Sequence, residues 1–320
     1  MGQGDIDHQN SVPILDFSSF DDDDELSREN VVRKVREACE RHGCFIILYD
    51  KISKELREDM FVAMKSLFDL PEEIKNKYQS PKPYRSYSGK CPIIPLHESF
   101  GIDDAPRLTS AQAFTTLMWP QGNPSFCETV QKMGSKMEDL NIKILKMIYE
   151  SFGMEGEQCE SQIKDMSSTN VFRVMKYNVP PRTDGDASGL GLLAHTDKNA
   201  LTILCQNEVQ GLEILNNDGD WVQVVMPPQN SYIVIVGDAL KAWSNGRLVA
   251  VKHRVVMKGD KERYSCGLFS IPKEGATIEV PKQFVDKEHP LLYKPFKFSD
   301  YFSYFVSNIS DDALEVYAGA

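Results

Sequence analysis

The sequence lacks the features that mark a secreted or membrane-bound protein. No apolar run approaches the length needed to cross a bilayer. The first ten residues, MGQGDIDHQN, are polar and contain no apolar signal-peptide core. Gly2 is not followed by Ser or Thr at position 6, as N-myristoylation requires. We therefore expect a cytoplasmic protein with no membrane partner.

Basic charge is also scarce. The chain has 36 Lys and Arg residues against 47 Asp and Glu residues, for a formal net charge of -11. Nucleic acids and anionic lipid surfaces favour positively charged partners. We expect neither as a partner, and we expect a monomer that acts on a small molecule.

Paired cysteines are missing as well. The seven cysteines form no CxxC pair and are odd in number. Scattered cysteines of this kind indicate free, mostly buried thiols in a reducing compartment. A structural zinc site built on cysteine is therefore not expected.

What the chain does contain changes in character near residue 168. Upstream, helical spacing of apolar residues predicts helices around 28–43, 53–68 and 130–148, with short strands at 12–20 and 44–48 and a largely irregular stretch at 79–125. Downstream, eight short β-branched runs are separated by turn residues. This pattern predicts a β-sandwich or barrel with helices packed around it.

Two metal-competent side chains stand close together in the stretch GLLAHTDKNALTIL, which reads as a strand. Alternate residues of a strand share a face, so His195 and Asp197 are expected to point the same way. A capping aspartate beside a surface histidine would explain the pair equally well. The second histidine in a later predicted strand, His253, favours the metal site, because two histidines and one carboxylate form the facial triad of non-haem iron oxygenases.

An arginine follows the third ligand. If Lys258 to Glu262 form a five-residue hairpin loop, Arg263 and Ser265 face the same side of the sheet as His253. A guanidinium that faces inward needs a carboxylate partner. The alternative is an exposed arginine at a hairpin end.

A glycine-rich stretch, Gly189 to Ala194, matches the pattern GxGxxA of dinucleotide sites. Such a site needs a strand before it and a helix after it. Here a polar loop is expected before it and a strand after it. We expect these glycines to let the chain turn tightly into the strand that carries His195.

Taken together, these motifs resemble those of the plant iron(II)/2-oxoglutarate-dependent dioxygenases. The pattern HxD…H is matched by His195, Asp197 and His253, and RxS by Arg263 and Ser265. The segments LFDLPEEIKNKY, KPYRSY, LHESFGIDDA and MKYNVP are most similar to the AOP-like branch, which includes dioxygenases of glucosinolate side chains and steroidal alkaloids.

The resemblance implies a mainly β core of the double-stranded β-helix (jelly-roll, cupin-like) type. A helical N-terminal region would cover residues 1–165, the oxygenase core 166–285, and a C-terminal helical segment closing the active site 286–320.

The resemblance also implies roles for individual residues. The triad would hold Fe(II), and Arg263 and Ser265 would bind the distal carboxylate of 2-oxoglutarate, the co-substrate. Tyr177 would contact the same co-substrate, although it also fits a half-buried strand tyrosine. Phe269 would line the substrate pocket, although a core phenylalanine is an equal alternative. The chain departs from the family at Met175, where asparagine is usual.

The implied reaction consumes O2 and 2-oxoglutarate, releases succinate and CO2, and oxidises a small plant specialised metabolite, with hydroxylation as the default outcome. Ascorbate is expected to support activity. Two alternatives stay open: an iron oxidase that does not use 2-oxoglutarate, and a non-catalytic binding protein on an oxygenase scaffold.

Overall fold

The computed structural model describes residues 12–18, 25–89, 91–183, 186–227 and 230–320. The polar N-terminal residues considered for targeting and myristoylation lie outside these ranges. The helices of the described residues are α1 (Glu25–Arg41), α2 (Lys54–Phe68), α3 (Glu72–Lys75), α4 (Leu108–Met118), α5 (Pro124–Ser151), α6 (Gly156–Met166), α7 (Asp238–Trp243), α8 (Phe298–Ser307) and α9 (Ala313–Ala318), with a short 3-10 turn at Lys282–Phe284.

Fifteen strands are assigned over the same residues. They are β1 (Ile14–Asp16), β2 (Cys44–Leu48), β3 (Tyr87–Ser88), β4 (His97–Asp103), β5 (Thr169–Tyr177), β6 (Arg182–Thr183), β7 (Asp186–His195), β8 (Leu201–Gln206), β9 (Leu212–Leu215), β10 (Trp221–Gln223), β11 (Ser231–Val236), β12 (His253–Lys258), β13 (Arg263–Ile271), β14 (Thr277–Ile278) and β15 (Phe296–Lys297).

The strands form two main sheets. The larger sheet has eight strands in the order β1-β2-β11-β8-β13-β5-β4-β3, and the smaller has five in the order β10-β9-β12-β7-β6. Apart from the parallel pair β1–β2, all pairings in both sheets are antiparallel. This double sheet with surrounding helices confirms the predicted jelly-roll core.

The larger sheet has an apolar core on each of its two faces. Alternate residues of its central strands point into one core or the other. In β5, Phe172 and Val174 point to the helical side, where they join a large cluster with α1, α2 and α5. Met175 and Tyr177 fall in a second, smaller cluster with Ile214 and Val255 of the other sheet. The second cluster therefore marks the interior between the sheets, and that interior holds the site described below.

The N-terminal half follows the predicted helices closely. The Ser53 hydroxyl accepts a hydrogen bond from the Leu56 backbone N–H and caps α2, as expected. Gly43 ends α1 with a positive φ of 65°. The stretch at 79–125 is more regular than the sequence suggested, because it contains α4 as well as β3 and β4.

Candidate functional site

The three predicted metal ligands meet at one end of the smaller sheet. His195 is the last residue of β7 and His253 the first of β12, and the two are directly paired in the antiparallel register. Their imidazole centroids lie 4.3 Å apart. Asp197 follows two residues after β7, outside the strand and buried. The pairing of two strand ends thus brings together residues that are far apart in the sequence.

The geometry leaves one nitrogen of each histidine free for a ligand. Nδ1 of His195 lies 2.8 Å from the Leu193 carbonyl oxygen, and Nδ1 of His253 lies 3.2 Å from the Val251 carbonyl oxygen. These carbonyls accept the Nδ1 proton, so Nε2 keeps its lone pair.

The free nitrogens converge on the carboxylate. Each Nε2 faces Oδ1 of Asp197, at 3.6 Å from His195 and 3.8 Å from His253. The ligand atoms of the three residues all lie within 4.8 Å of one another. An ion about 2 Å from each atom fits this arrangement. Two imidazoles and one carboxylate on a single side leave the opposite positions open to other ligands, which suits Fe(II).

The carboxylate of Asp197 is itself held in place. The hydroxyl of Thr202 donates a 2.6 Å hydrogen bond to Oδ2, and the side-chain amide of Asn199 donates to the Thr202 hydroxyl at 3.1 Å. Burial raises the pKa of Asp197, but His253, His195 and the Thr202 hydrogen bond outweigh it, and the pKa lies well below its usual value. The group is therefore kept as an anion that points Oδ1 at the histidines.

A buried cation faces the same interior from the larger sheet. Arg263 is fully buried and donates to Gln206 Oε1 at 2.8 Å and to Ser265 Oγ at 3.2 Å. Its guanidinium carbon lies 5.0 Å from the Tyr177 ring centre, and its Nε has no hydrogen-bond partner. Burial lowers the pKa of Arg263. No carboxylate of the described residues forms an ion pair with it, so an external anion is needed to compensate its charge.

The expected hairpin between the strands of His253 and Arg263 is wrong. β12 pairs with β7 and β9, whereas β13 pairs with β5 and β8 in the other sheet. The residues between them cross from one sheet to the other. Arg263 points inward because it stands opposite the smaller sheet, not beside His253 in it.

The interpretation of the glycine-rich stretch also needs correction. Gly189 and Gly191 do not form a turn but lie within β7, which begins before the predicted strand. A Cβ on Gly191 would come within 2.8 Å of Tyr177 Cδ1 and 3.1 Å of Val255 Cγ1. The missing side chain therefore makes room for the tyrosine ring beneath Arg263.

The remaining predicted residues lie on the inner face of the larger sheet. Tyr177 pairs directly with Arg263, and its hydroxyl lies 3.8 Å from Met175 Sδ. Burial raises the pKa of Tyr177, so it stays protonated and can donate a hydrogen bond. Phe269 lies farther along β13 and is only partly buried. The structure thus groups Tyr177 with Arg263 and Ser265 and places Phe269 apart from them.

Sequence reasoning missed two polar residues of this interior. Arg173 stands two positions from Met175 in β5 and shares its face, and His97 of β4 pairs with Tyr177. Arg173 could have been found, because it interrupts the apolar alternation of Val171, Met175 and Tyr177. His97 lies in the stretch that was expected to be irregular and carried no usable signal.

Comparisons with known proteins agree with this geometry. A model of the 2OG-Fe(II) oxygenase superfamily matches residues 169–272, and a model of the N-terminal region of non-haem dioxygenases, described as acting in morphine synthesis, matches residues 12–110. A probable 2-oxoglutarate-dependent dioxygenase, AOP1.2 of Arabidopsis thaliana, is 42% identical over 96% of this chain and 95% of its own length. The chain belongs to the 2OG-Fe(II) oxygenase superfamily. Its similarity to the AOP-like branch is confirmed.

Solved structures of this superfamily share the fold of this oxygenase. A rice dioxygenase for auxin oxidation is 31% identical, with a TM-score of 0.81 over 97% of this chain and 100% of its own. Its Arabidopsis thaliana counterpart, solved with 2-oxoglutarate, is 30% identical, with a TM-score of 0.76 over 87% of this chain and 99% of its own.

These findings establish the reaction class. The protein is an oxidoreductase that uses Fe(II) and 2-oxoglutarate. Among the described residues, no helix has the length and apolar character to span a bilayer.

Proposed function

We propose that this oxygenase oxidises a small plant metabolite, with hydroxylation as the default outcome, at an iron held by His195, Asp197 and His253. We further propose that Arg263 and Ser265, assisted by the Tyr177 hydroxyl, bind the distal carboxylate of 2-oxoglutarate. One observation carries the proposal: three ligand atoms converge in an interior that also holds a buried guanidinium, which has no acidic partner among the described residues. The auxin-oxidising relatives and the Arabidopsis dioxygenases support a plant metabolite as substrate.

The residues present fit the iron and the co-substrate. Both histidines are held in the tautomer that offers Nε2, and the carboxylate is anionic. When bound, Fe(II) with 2-oxoglutarate and O2 supplies the oxidising power to remove hydrogen from a C–H bond. The side chains of this protein orient the ligands, hold the diacid by its far end and keep water out of the apolar interior.

Among the alternatives, an iron oxidase without 2-oxoglutarate leaves Arg263 unexplained, since a buried cation without an anion is costly. A non-catalytic scaffold does not need three free ligand atoms directed at one point.

The proposal extends to the division of the chain into regions, to its location in the cell and to its oligomeric state. We infer an N-terminal helical region at 1–165, the oxygenase core at 166–285, and a segment at 286–320 that closes the active site. Contacts of α8 support the last assignment: the Tyr301 hydroxyl donates to Asp238 at 2.6 Å, and Lys198, next to Asp197, lies over the Phe305 ring. We also infer a cytoplasmic monomer.

The metal assignment is tested with the variants His195→Ala and Asp197→Ala. We expect both to lose iron binding and 2-oxoglutarate-dependent succinate release, with circular dichroism unchanged, because each removes one of three ligands. His289→Ala is the matched control, since His289 is exposed and its side chain pairs with Asp286, away from the triad. Full succinate release in either ligand variant would overturn the assignment.

The co-substrate site is tested at Arg263. Arg263→Lys keeps the charge but loses the two-pronged donor, and Arg263→Ala loses both. We expect the KM for 2-oxoglutarate to rise about tenfold or more in the lysine variant and further in the alanine variant. An unchanged KM in a folded lysine variant removes Arg263 from the site. Metabolite profiling with iron, ascorbate and 2-oxoglutarate then identifies the substrate.

A further inference from the structure

A second guanidinium inside the double sheet, that of the partly exposed Arg173, forms no ion pair with any carboxylate in the described part of the chain. Arg173 of β5 donates from Nη2 to the Ser99 hydroxyl at 3.1 Å, and its Nε is buried without any hydrogen-bond partner. No described carboxylate lies within ion-pair distance of it. Burial lowers its pKa, and Tyr177, the more distant carboxylate of Asp197 and Tyr84 offset only part of that shift. Such a group is costly unless a ligand supplies the missing anion.

A histidine on the neighbouring strand β4 is also unsatisfied. His97 is 3% exposed, and neither ring nitrogen has a hydrogen-bond partner. Its ring lies 5.1 Å from the Tyr177 ring, on the inner face. Ser99, the partner of Arg173, stands two residues along the same face of β4. Two unsatisfied polar side chains thus line one wall of the interior.

Two aromatic rings flank the guanidinium of Arg173. Its guanidinium carbon lies 5.7 Å from the Phe269 ring centre and 5.6 Å from the Tyr84 ring centre. Tyr84 is 49% exposed and contacts Phe302 of α8, so this end of the interior is close to solvent. A cation between two aromatic rings suits a ligand with one charged end and an apolar body.

The co-substrate does not account for this second cation. In the register of the larger sheet, Arg173 pairs with Gly267, four residues along β13 from Arg263. The backbone positions of the two arginines are therefore about 13 Å apart. The Arg173 guanidinium lies against the Phe269 ring, whereas that of Arg263 lies against the Tyr177 ring, so we take the two arginines as separate anion sites.

Formal charges in the proposed complex lead to the same conclusion. Fe(II) and Arg263 together carry three positive charges, and Asp197 with the two carboxylates of 2-oxoglutarate carries three negative ones. His97 adds no charge, because burial and the nearby Arg173 lower its pKa to about 3. The charge of Arg173 is left over, and one more anion balances the interior.

We propose that Arg173 and His97 form a substrate subsite for an oxyanion, and that the substrate is a small organic acid with a single carboxylate and an apolar body that packs on Phe269. This proposal rests on the proposed function, because it takes the iron and Arg263 as occupied. The carboxylate accepts from the guanidinium Nε and from one nitrogen of His97. It thereby fixes which carbon of the substrate is presented to the metal.

The test measures binding without turnover. The protein is loaded with Zn(II) and 2-oxoglutarate and titrated calorimetrically with aryl and alkyl monocarboxylates, from phenylacetate to decanoate, each beside its primary amide. We expect acids to bind at least tenfold more tightly than their amides. Arg173→Gln should abolish this preference, and Arg173→Lys should keep part of it, since the charge remains. Arg36→Gln, at a partly buried arginine paired with Glu40, is the control.

Each outcome decides the proposal. Equal binding of acids and amides by the wild type, no binding of any acid, or an acid preference that survives Arg173→Gln overturns it. Binding of 2-oxoglutarate to the same preparations is titrated separately. If that binding fails, the proposed function fails. If it persists in Arg173→Gln while the acid preference is lost, the two sites are distinct, as proposed.

Discussion

At the residue scale, the orientation of one carboxylate depends on one hydroxyl. Thr202 donates to Oδ2 of Asp197 and receives from Asn199, so the carboxylate presents Oδ1 to both histidines. Partners of this kind typically change metal affinity by about 10- to 100-fold, because they fix the ligand before the metal arrives.

Replacing this hydroxyl should weaken iron binding without unfolding the protein. Thr202→Val keeps the shape of the side chain but removes the donor to Asp197. We expect the Fe(II) dissociation constant to rise about 10-fold or more, measured by competition with a chelator. Thr202→Ser, which retains the hydroxyl, should stay close to the wild type. An unchanged dissociation constant in the valine variant would show that the hydrogen bond does not position Asp197.

At the scale of elements, a buried ion pair joins the short helix α3 to strand β4. Lys75 Nζ lies 2.8 Å from Glu98 Oε2, and both side chains are nearly buried. The Tyr87 hydroxyl donates to the same oxygen at 2.9 Å. Burial raises the pKa of Glu98, but the hydrogen bonds from Lys75 and Tyr87 outweigh it and lower the pKa. Because Glu98 precedes Ser99 in β4, this pair also supports the wall of the interior.

Breaking this pair should destabilise the protein. Lys75→Met leaves the carboxylate without its cation, and we expect the free energy of unfolding to fall by about 3–5 kcal/mol at pH 7. In the wild type, the pKa of Glu98 is lower in the folded state than in the unfolded state. The ionised carboxylate therefore contributes to the free energy of unfolding above the unfolded-state pKa, near 4.3, and this contribution is lost as pH falls through the folded-state pKa. Urea unfolding from pH 7 to pH 3 measures both effects.

The control is Lys65→Met, at an exposed pair with Asp69, which should change the free energy of unfolding by less than about 1 kcal/mol. A similar loss of stability in the Lys75 and Lys65 variants would contradict the prediction.

The sequence predicted the positions of some helices and strands well, but it did not predict which strands pair. The 28-residue helix α5 and the buried strands β8, β11 and β13 were predictable, because long apolar periods and β-branched runs leave few alternatives. The pairing of the strands could not be predicted, since it depends on contacts between segments that are distant in the sequence. That is why the expected pairing of β12 with β13 failed.

The same distinction holds for the site. Residue type and spacing indicated that His195, Asp197 and His253 could meet at a metal site, and the family resemblance supplied their predicted role as iron ligands. The environment of Arg173 could not be predicted, because its unsatisfied Nε depends on which side chains stand opposite it in space.

At the scale of the whole molecule, a buried network ties helix α8 to the loop that carries Asp197. Asp238, the first residue of α7, accepts from Lys198 at 2.8 Å and from the Tyr301 hydroxyl at 2.6 Å. The Asp238 backbone N–H donates to the Asp197 carbonyl oxygen at 2.7 Å. Movement of α8 is thereby coupled to the position of a proposed metal ligand.

Removing one hydroxyl should loosen this segment. Tyr301→Phe deletes a donor to the buried Asp238, at an expected cost of about 1–3 kcal/mol. We expect chymotrypsin to cleave within α8 several times faster than in the wild type, with the cleavage site read by mass spectrometry. Tyr304→Phe on the same helix is the control, because no hydrogen bond from the Tyr304 hydroxyl is seen in the described part of the chain. Equal cleavage rates in the two variants would argue against the coupling.

The two proposed anchoring points of 2-oxoglutarate belong to different sheets. The triad stands at the paired ends of β7 and β12 in the five-stranded sheet, while Arg263 and Ser265 project from the eight-stranded one. In the proposed complex, a diacid held at both ends would link the two sheets across the apolar cluster between them. Binding of 2-oxoglutarate would then make the double sheet more rigid, and release of succinate would relax it before the next turnover.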